Sequence, residues 1–223
     1  CCWCCSESLC GADGVIMMNN KHKGETILIT VGLLMLAAAL LLTGYNLFDE
    51  YRAGTAAEHI LEEMRRQAPN VPQEDSPPCD GTDICEYVLN PDIEMPVINI
   101  EENDYIGVLE IPSLELSLPV MSEWIYPKLK TAPCRYAGSV YTGMMVIAGH
   151  NYRTHFGDLK SLAPGARIKF TDMQGNSFFY ETAAVEVLSP AAAEELLNEE
   201  WALTLFTCTP DGQNRVAVRC VKL

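Results

Sequence analysis

Basic residues are scarce in this chain. Fifteen Lys and Arg stand against 30 Asp and Glu, a formal net charge of −15. Between Arg66 and Lys128 there is no Lys or Arg at all, while Asp and Glu recur throughout. Phosphate contacts need clustered Lys and Arg, so the balance excludes a nucleic-acid partner. The acidic stretch reads instead as a solvated, extended surface segment. Charge of either sign is missing from residues 26–48, which excludes that run from any water-facing surface. A zinc-type cysteine spacing is also missing. Cys1, Cys2, Cys4, Cys5 and Cys10 crowd the N-terminus, and no second pair follows at a suitable distance.

What is present starts with that uncharged run. Its length matches the roughly 20 apolar residues that span a bilayer core. Lys21, His22 and Lys23 precede it, and Asp49 and Glu50 follow. The positive-inside bias then predicts a single pass in the cell membrane, with a cytoplasmic N-terminus and an extracellular remainder. A cleaved signal peptide would carry a shorter apolar region ending in a small-x-small site. This run ends in Tyr45, Asn46, Leu47 and Phe48, an interfacial flank. Residues 1–16 are expected to be upstream translation or an artefact, because Met17-Met18 precedes the membrane signal, and they are set aside from fold reasoning.

The sequence therefore divides into an N-terminal cytoplasmic segment (1–25), a transmembrane anchor (26–48), a juxtamembrane helix with an acidic linker (49–103) and a compact domain (104–223). Ala56, Ala57, Ile60, Leu61 and Met64 recur at helical spacing in the third part, and Pro69 ends that helix. Cys79 and Cys85 are placed to close a small loop in an oxidising exterior. In the compact domain, strands are predicted at 105–112, 116–120, 144–150, 166–173, 177–188, 202–209 and 215–223. Gln174, Gly175 and Asn176 form a hairpin turn. Short helices are predicted at 122–130, 156–162 and 190–199. Many strands with short helical inserts predict a mainly β fold, a barrel or a sandwich.

Chemistry concentrates at three residues. Cys208 ends a strongly apolar strand and is followed by the turn-forming Thr209, Pro210, Asp211 and Gly212. His150 ends an upstream apolar strand, and Arg215 opens the last one. In an antiparallel pair joined by a short loop, Arg215 stands near Cys208. A thiol that attacks an amide needs a thiolate, a proton donor for the leaving amine and a group that holds the oxyanion. Cys, His and Arg supply those roles. Taken singly, each has a plainer reading: a buried small hydrophobe, a turn histidine and a surface arginine. Their conjunction argues against all three. A papain-like peptidase would place Cys first, at a helix N-terminus, and His later. A non-catalytic surface-binding barrel would make Cys208 structural, or pair it with Cys220.

Ala-Gly-His-Asn at 148–151, Thr-Leu-Phe-Thr-Cys at 204–208 and Arg215 seven residues on resemble the sortase family, whose signature is Thr-Leu-x-Thr-Cys. The resemblance covers roughly residues 105–223. It implies a closed eight-stranded β-barrel and a cysteine transpeptidase of the Gram-positive cell surface. On that likeness Cys208 is the nucleophile, His150 the general acid/base and Arg215 the oxyanion or substrate stabiliser. Thr207, Ala148, Gly149 and Asn151 would line the substrate site. The implied substrates are surface proteins bearing a C-terminal, LPxTG-like sorting signal. The implied acceptor is an amine of a peptidoglycan precursor or a pilin lysine. His155, five residues beyond His150, lies outside the Ala-Gly-His pattern. No cofactor or metal is expected; calcium occurs in some relatives, but no ligand spacing here supports it. Cys-Thr-Pro-Asp-Gly-Gln-Asn-Arg at 208–215 is similar to pilin-polymerising members. The 194–197 helix resembles class B, and the short connection after His150 resembles class D. A single-anchor class B or D member is the expectation.

Overall fold

The computed structural model describes residues 13–67 and 86–223. Residues 1–12 and the Cys79–Cys85 pair lie outside the described residues. The chain divides into two units, Cys1–Phe48 and Asp49–Leu223.

The described part of the first unit belongs to helix α1 (Asp13–Gln67). From Ile27 to Phe48 its large apolar side chains are exposed. This stretch is long and apolar enough to cross a membrane.

In the second unit α1 changes character. Ala53, Ala57, Ile60, Leu61 and Met64 are all buried, and their spacing puts them on one stripe of a 3.6-residue helix. Burying Ile60, Leu61 and Met64 alone is worth roughly 1.5–3 kcal/mol each. The remaining elements are the short α2 (Glu86–Leu89), strands β1 (Ile98–Ile100), β2 (Asn103–Ile111), β3 (Leu116–Met121), β4 (Cys134–Ser139), β5 (Met144–Ala148), β6 (Arg167–Asp172) and β7 (Ser177–Leu188), the single-turn α3 (Ala193–Leu196), β8 (Leu203–Cys208) and β9 (Arg215–Lys222).

The strands form one sheet in the order β1-β2-β3-β4-β5-β8-β9-β7-β6, and β6 pairs back onto β2. Eight strands, β2 to β9, thus close a barrel, as the sequence led one to expect, and β1 is a short addition beside the start of β2. Closure leaves no free sheet edge. The closing pair is antiparallel, from Gly107 opposite Asp172 to Glu110 opposite Lys169.

Strand alternation sorts the core into two layers. Leu109, Ile111, Met145, Ile147, Phe170, Leu203, Leu205, Val216 and Val218 share the cluster that fills the barrel. Ala148, Phe206 and Ala217, the alternate residues, belong to a second cluster with Ile60, Leu61 and Met64 of α1. Ile60, Leu61 and Met64 of α1 thus belong to the outer layer, whereas Ala57 is grouped with the barrel cluster.

Several predicted elements need correction. The predicted helix at 122–130 is a 3-10 turn over Tyr126–Lys130; Pro127 and the flanking aromatics give no helical stripe. The predicted turn at 156–162 shrinks to Leu159–Ser161. The predicted helix at 190–199 keeps one turn, Ala193–Leu196. Its connection is pinned instead by buried Arg219, which donates to the Glu195 carbonyl (2.7 Å), Thr204 Oγ1 (3.2 Å) and Glu186 (3.1 Å). β4 was not anticipated, and β5 ends at Ala148 rather than His150.

Gly107 sits where β2, β3 and β6 meet. A Cβ there would lie 2.2 Å from the Thr171 carbonyl oxygen and 2.6 Å from the Phe170 ring. Gly107→Ala is expected to cost about 3 kcal/mol, which for a unit of this size lowers Tm by roughly 6–12 °C. Calorimetry of the variant against the parent checks this.

Candidate active site

The site begins with a pairing that two local sequences make necessary. β5 (Met-Met-Val-Ile-Ala) and β8 (Leu-Thr-Leu-Phe-Thr-Cys) are apolar runs that pair in parallel, from Met145 opposite Leu203 to Ala148 opposite Phe206. The ladder continues one step further, because the Gly149 N–H donates to the Phe206 carbonyl at 3.0 Å. The segment that leaves β5 thus carries His150 toward the end of β8 that bears Cys208. On the other side of β8 the antiparallel pairing with β9 ends with Cys208 opposite Arg215. Two adjacent strands thus set Cys208 opposite Arg215, and His150 follows the end of the third, β5. Residues directly opposite share a face, here the outer one, with Phe206 and Ala217.

The turn between β8 and β9 fixes the Arg215 side of this pairing. Thr209 and Asn214 close it by Thr209 N–H to the Asn214 carbonyl (3.0 Å) and Asn214 N–H to Thr209 Oγ1 (3.0 Å). Thr209 Oγ1 also donates to Asp211, whose carboxylate accepts the Gln213 N–H at 3.1 Å. The Thr209 hydroxyl holds that carboxyl below the usual carboxylate range. Gly212 supplies the left-handed residue, with φ +71°. The Arg215 guanidinium donates to the Asn214 carbonyl (3.1 Å) and the Gly212 carbonyl (3.4 Å).

Cys208 is a free thiol and is partly exposed, whereas Cys134 and Cys220 are buried. Burial pushes the Cys134 thiol up to about 11 and the Cys220 thiol up to about 12. Cys220 pairs with Leu203, five residues along β8 from Cys208, and faces the barrel interior. A Cys208–Cys220 disulfide is therefore geometrically impossible.

His150 stands on a further layer. Its ring stacks on Tyr152, with centroids 3.9 Å apart and planes at 20°. The Tyr152 hydroxyl donates to Asp49 at 2.6 Å. Partial burial, followed by the nearby Lys130 charge, moves the imidazole below the ordinary histidine value, while Asp49 and the Asn151 side chain oppose that shift. At neutral pH the ring is the neutral, proton-accepting form.

His155 is placed differently. It is fully buried on the far side of Tyr152, with ring centroids 5.7 Å apart. Burial, reinforced by the charge His150 would carry, drives its pKa down to about 4. Its two ring nitrogens make no hydrogen bond of standard geometry, although the backbones of Ala53 and Leu129 face them. Among the other residues singled out from sequence, Ala148 is buried at the end of β5, and Gly149 continues its ladder beneath the Phe156 ring. Thr207 is buried on the inner face directly behind Cys208, its hydroxyl unpartnered. Asn151 is partly exposed beside His150. Tyr152, Asp49 and Lys130 carried no sequence signal strong enough to be chosen; the only hint was an aromatic residue two positions after His150. Among the described residues, no group of His, Cys, Asp and Glu is arranged to hold a metal ion.

A family model described as the sortase domain matches residues 109–223, a stretch that contains His150, Cys208 and Arg215. The chain belongs to the sortase family. It is 28% identical over 185 residues to Sortase D of Bacillus subtilis, covering 81% of this chain and 88% of that one. A solved Sortase D5 transpeptidase from Clostridium perfringens is 24% identical, with a TM-score of 0.48, covering 54% of this chain and 81% of that one. The solved Clostridium perfringens sortase C with the C-terminal cell wall sorting motif is 23% identical, with a TM-score of 0.47, covering 61% and 81% of the two chains.

The buried histidine makes the sortase sensitive to acid. Above pH 6.5 His155 is neutral folded or unfolded. Between 6.5 and about 4 the unfolded chain takes up a proton that the folded one refuses. Stability therefore falls as pH falls through that window, by roughly 3 kcal/mol at its acid end. Thermal melts at pH 7 and pH 4.5 should show this loss in the parent and a flatter dependence in His155→Gln.

Proposed function

We propose that this sortase is a membrane-anchored cysteine transpeptidase that cuts an LPxTG-like sorting signal and joins the freed carboxyl end to an amine at the cell surface. The pairing of Cys208 with Arg215, with His150 two residues beyond the end of the neighbouring β5, carries the reading. The uncharged run 26–48 serves as its anchor, with the N-terminus cytoplasmic and the barrel outside. Of the two subclasses expected from sequence, the likeness to Sortase D supports class D.

In this mechanism neutral His150 takes the proton from the Cys208 thiol as Sγ attacks the carbonyl carbon of the Thr-Gly bond. Charge develops on the carbonyl oxygen, and the Arg215 guanidinium donates to it in a partly buried setting, where such a contact is worth most. The imidazolium of His150 then protonates the leaving glycine amine, the C–N bond breaks, and a Cys208 thioester remains. The acceptor amine gives a proton to His150 and attacks the thioester carbon. A new amide forms, and the proton returns to the Cys208 sulfur. Thr207 and Ala148 form the solid backing of this chemistry, with Asn151 and Gly149 at its rim.

Incubation of the detergent-solubilised chain with sorting-signal peptides and hydroxylamine tests the reading. The parent should release the tail and yield a hydroxamate, and Cys208→Ala should yield neither; turnover by Cys208→Ala would sink the mechanism. Arg215→Lys should lose roughly 10²-fold in kcat, because an ammonium cannot reproduce the guanidinium fork. Replacing hydroxylamine by a peptidoglycan-precursor amine or a pilin-lysine peptide identifies the acceptor.

The acid limb of kcat/KM supplies a further check. Because burial depresses the His150 pKa, the neutral base persists to lower pH than an ordinary histidine allows, so the limb should lie below pH 6.5. A limb above that value would assign it to another group.

A further inference from the structure

His150 makes no hydrogen bond through Nδ1, although that atom is buried. In many hydrolases a carboxylate on that nitrogen orients the ring; among the described residues this chain has none there. The ring is held by a face instead. Tyr152 lies flat against it at 3.9 Å, and the Tyr152 hydroxyl is fixed by Asp49 Oδ2 at 2.6 Å. The same carboxylate receives Lys130 Nζ at 3.4 Å and, through Oδ1, Arg52 at 3.3 Å. Asp49 is the first residue after the uncharged run, and its side chain is only 13% exposed.

The contact continues along α1. Glu50 accepts the Arg153 N–H at 2.8 Å, its carbonyl accepts the Thr154 hydroxyl at 3.4 Å, and Gly54 leaves just 3.0 Å between a would-be Cβ and Thr154. The Ala53 backbone then faces buried His155. The backbone that follows the candidate base is thus gripped by one turn and a half of a helix about 100 residues upstream. Within the barrel unit the same segment is closed by the Phe156 N–H on the His150 carbonyl at 3.1 Å and the Gly157 N–H on the Tyr152 carbonyl at 2.8 Å.

We infer that Tyr152 and Asp49 are positioning residues for His150: the tyrosine ring sets the plane of the imidazole, and the Asp49 carboxylate, at the head of the docked part of α1, sets the tyrosine. The inference rests on the reading of His150 as the acid/base of the transpeptidation. Losing the hydroxyl–carboxylate bond frees the ring pair without removing any group from the reaction, so the effect falls on kcat rather than on peptide binding.

The test uses the full chain in detergent, the sorting-peptide and hydroxylamine assay, and ¹⁵N spectra of the His150 ring. Asp49→Ala and Tyr152→Phe should each lower kcat about five- to tenfold, the net value of one ordinary hydrogen bond, with KM within twofold. Their double variant should be no worse than either alone. Asp49→Asn, which still accepts from the tyrosine, should recover most of the loss. Tyr152→Ala should cost roughly 10²-fold; if it fails to fold, the phenylalanine and asparagine variants decide. Parental kcat in Asp49→Ala and Tyr152→Phe, additive losses, or losses confined to KM would overturn the inference. If the parent turns over no peptide, or Cys208→Ala remains active, the functional reading fails instead. The ring spectra still decide the positioning, because unchanged His150 resonances in both single variants refute it.

Discussion

Everything at the site depends on the parallel pairing of β5 with β8. Antiparallel hairpins join residues that are close in sequence, but His150 and Cys208 lie in different parts of the barrel, and only a lateral, parallel contact carries His150 toward the end of β8 that bears Cys208. The pairing is held by apolar side chains on both faces: Met145, Ile147, Leu203 and Leu205 inward, Ala148 and Phe206 outward. A one-residue slip would turn Cys208 into the interior and expose Thr207. The register of a hydrophobic wall, rather than any bond between the reacting groups, therefore sets the chemistry.

The outer face of that wall is equally necessary. Ala148, Phe206 and Ala217 belong to a cluster outside the barrel, and Tyr136 covers Phe206 edge-on. Ile60, Leu61 and Met64 of α1 join the same cluster. The compact unit accordingly starts at Asp49 rather than at the first strand. A soluble fragment begun at residue 70 would lack a wall of its own active region.

How much of this was readable beforehand follows from the kind of signal each feature carries. Cys208, His150 and Arg215 stood out because their strands are strongly apolar and the turn at 209–212 is chemically explicit. The adjacency of Cys208 and Arg215 needed only a short antiparallel loop. β4 escaped notice because Cys-Arg-Tyr-Ala-Gly-Ser alternates weakly and contains a glycine, and its place is fixed by β3 and β5 rather than by its own propensity. The helix expected at 190–199 shrank because Arg219 satisfies the Glu195 carbonyl from outside. The roles of Asp49 and Tyr152 were illegible for a different reason: a contact spanning 103 residues leaves no local pattern.

The distribution of thiols in the described barrel has a consequence under oxidising conditions. Cys134 shares the outer face with Cys208, but it lies two strand spacings away, across β5. That is nearly 10 Å, beyond the reach of a disulfide. Cys220 is sealed inside the barrel. An oxidised Cys208 sulfenate would thus meet no resolving thiol within the barrel, and its repair would have to come from an external reductant. By the same geometry an electrophile applied to the folded barrel should modify one sulfur, which makes Cys208 a clean address for covalent inhibitors.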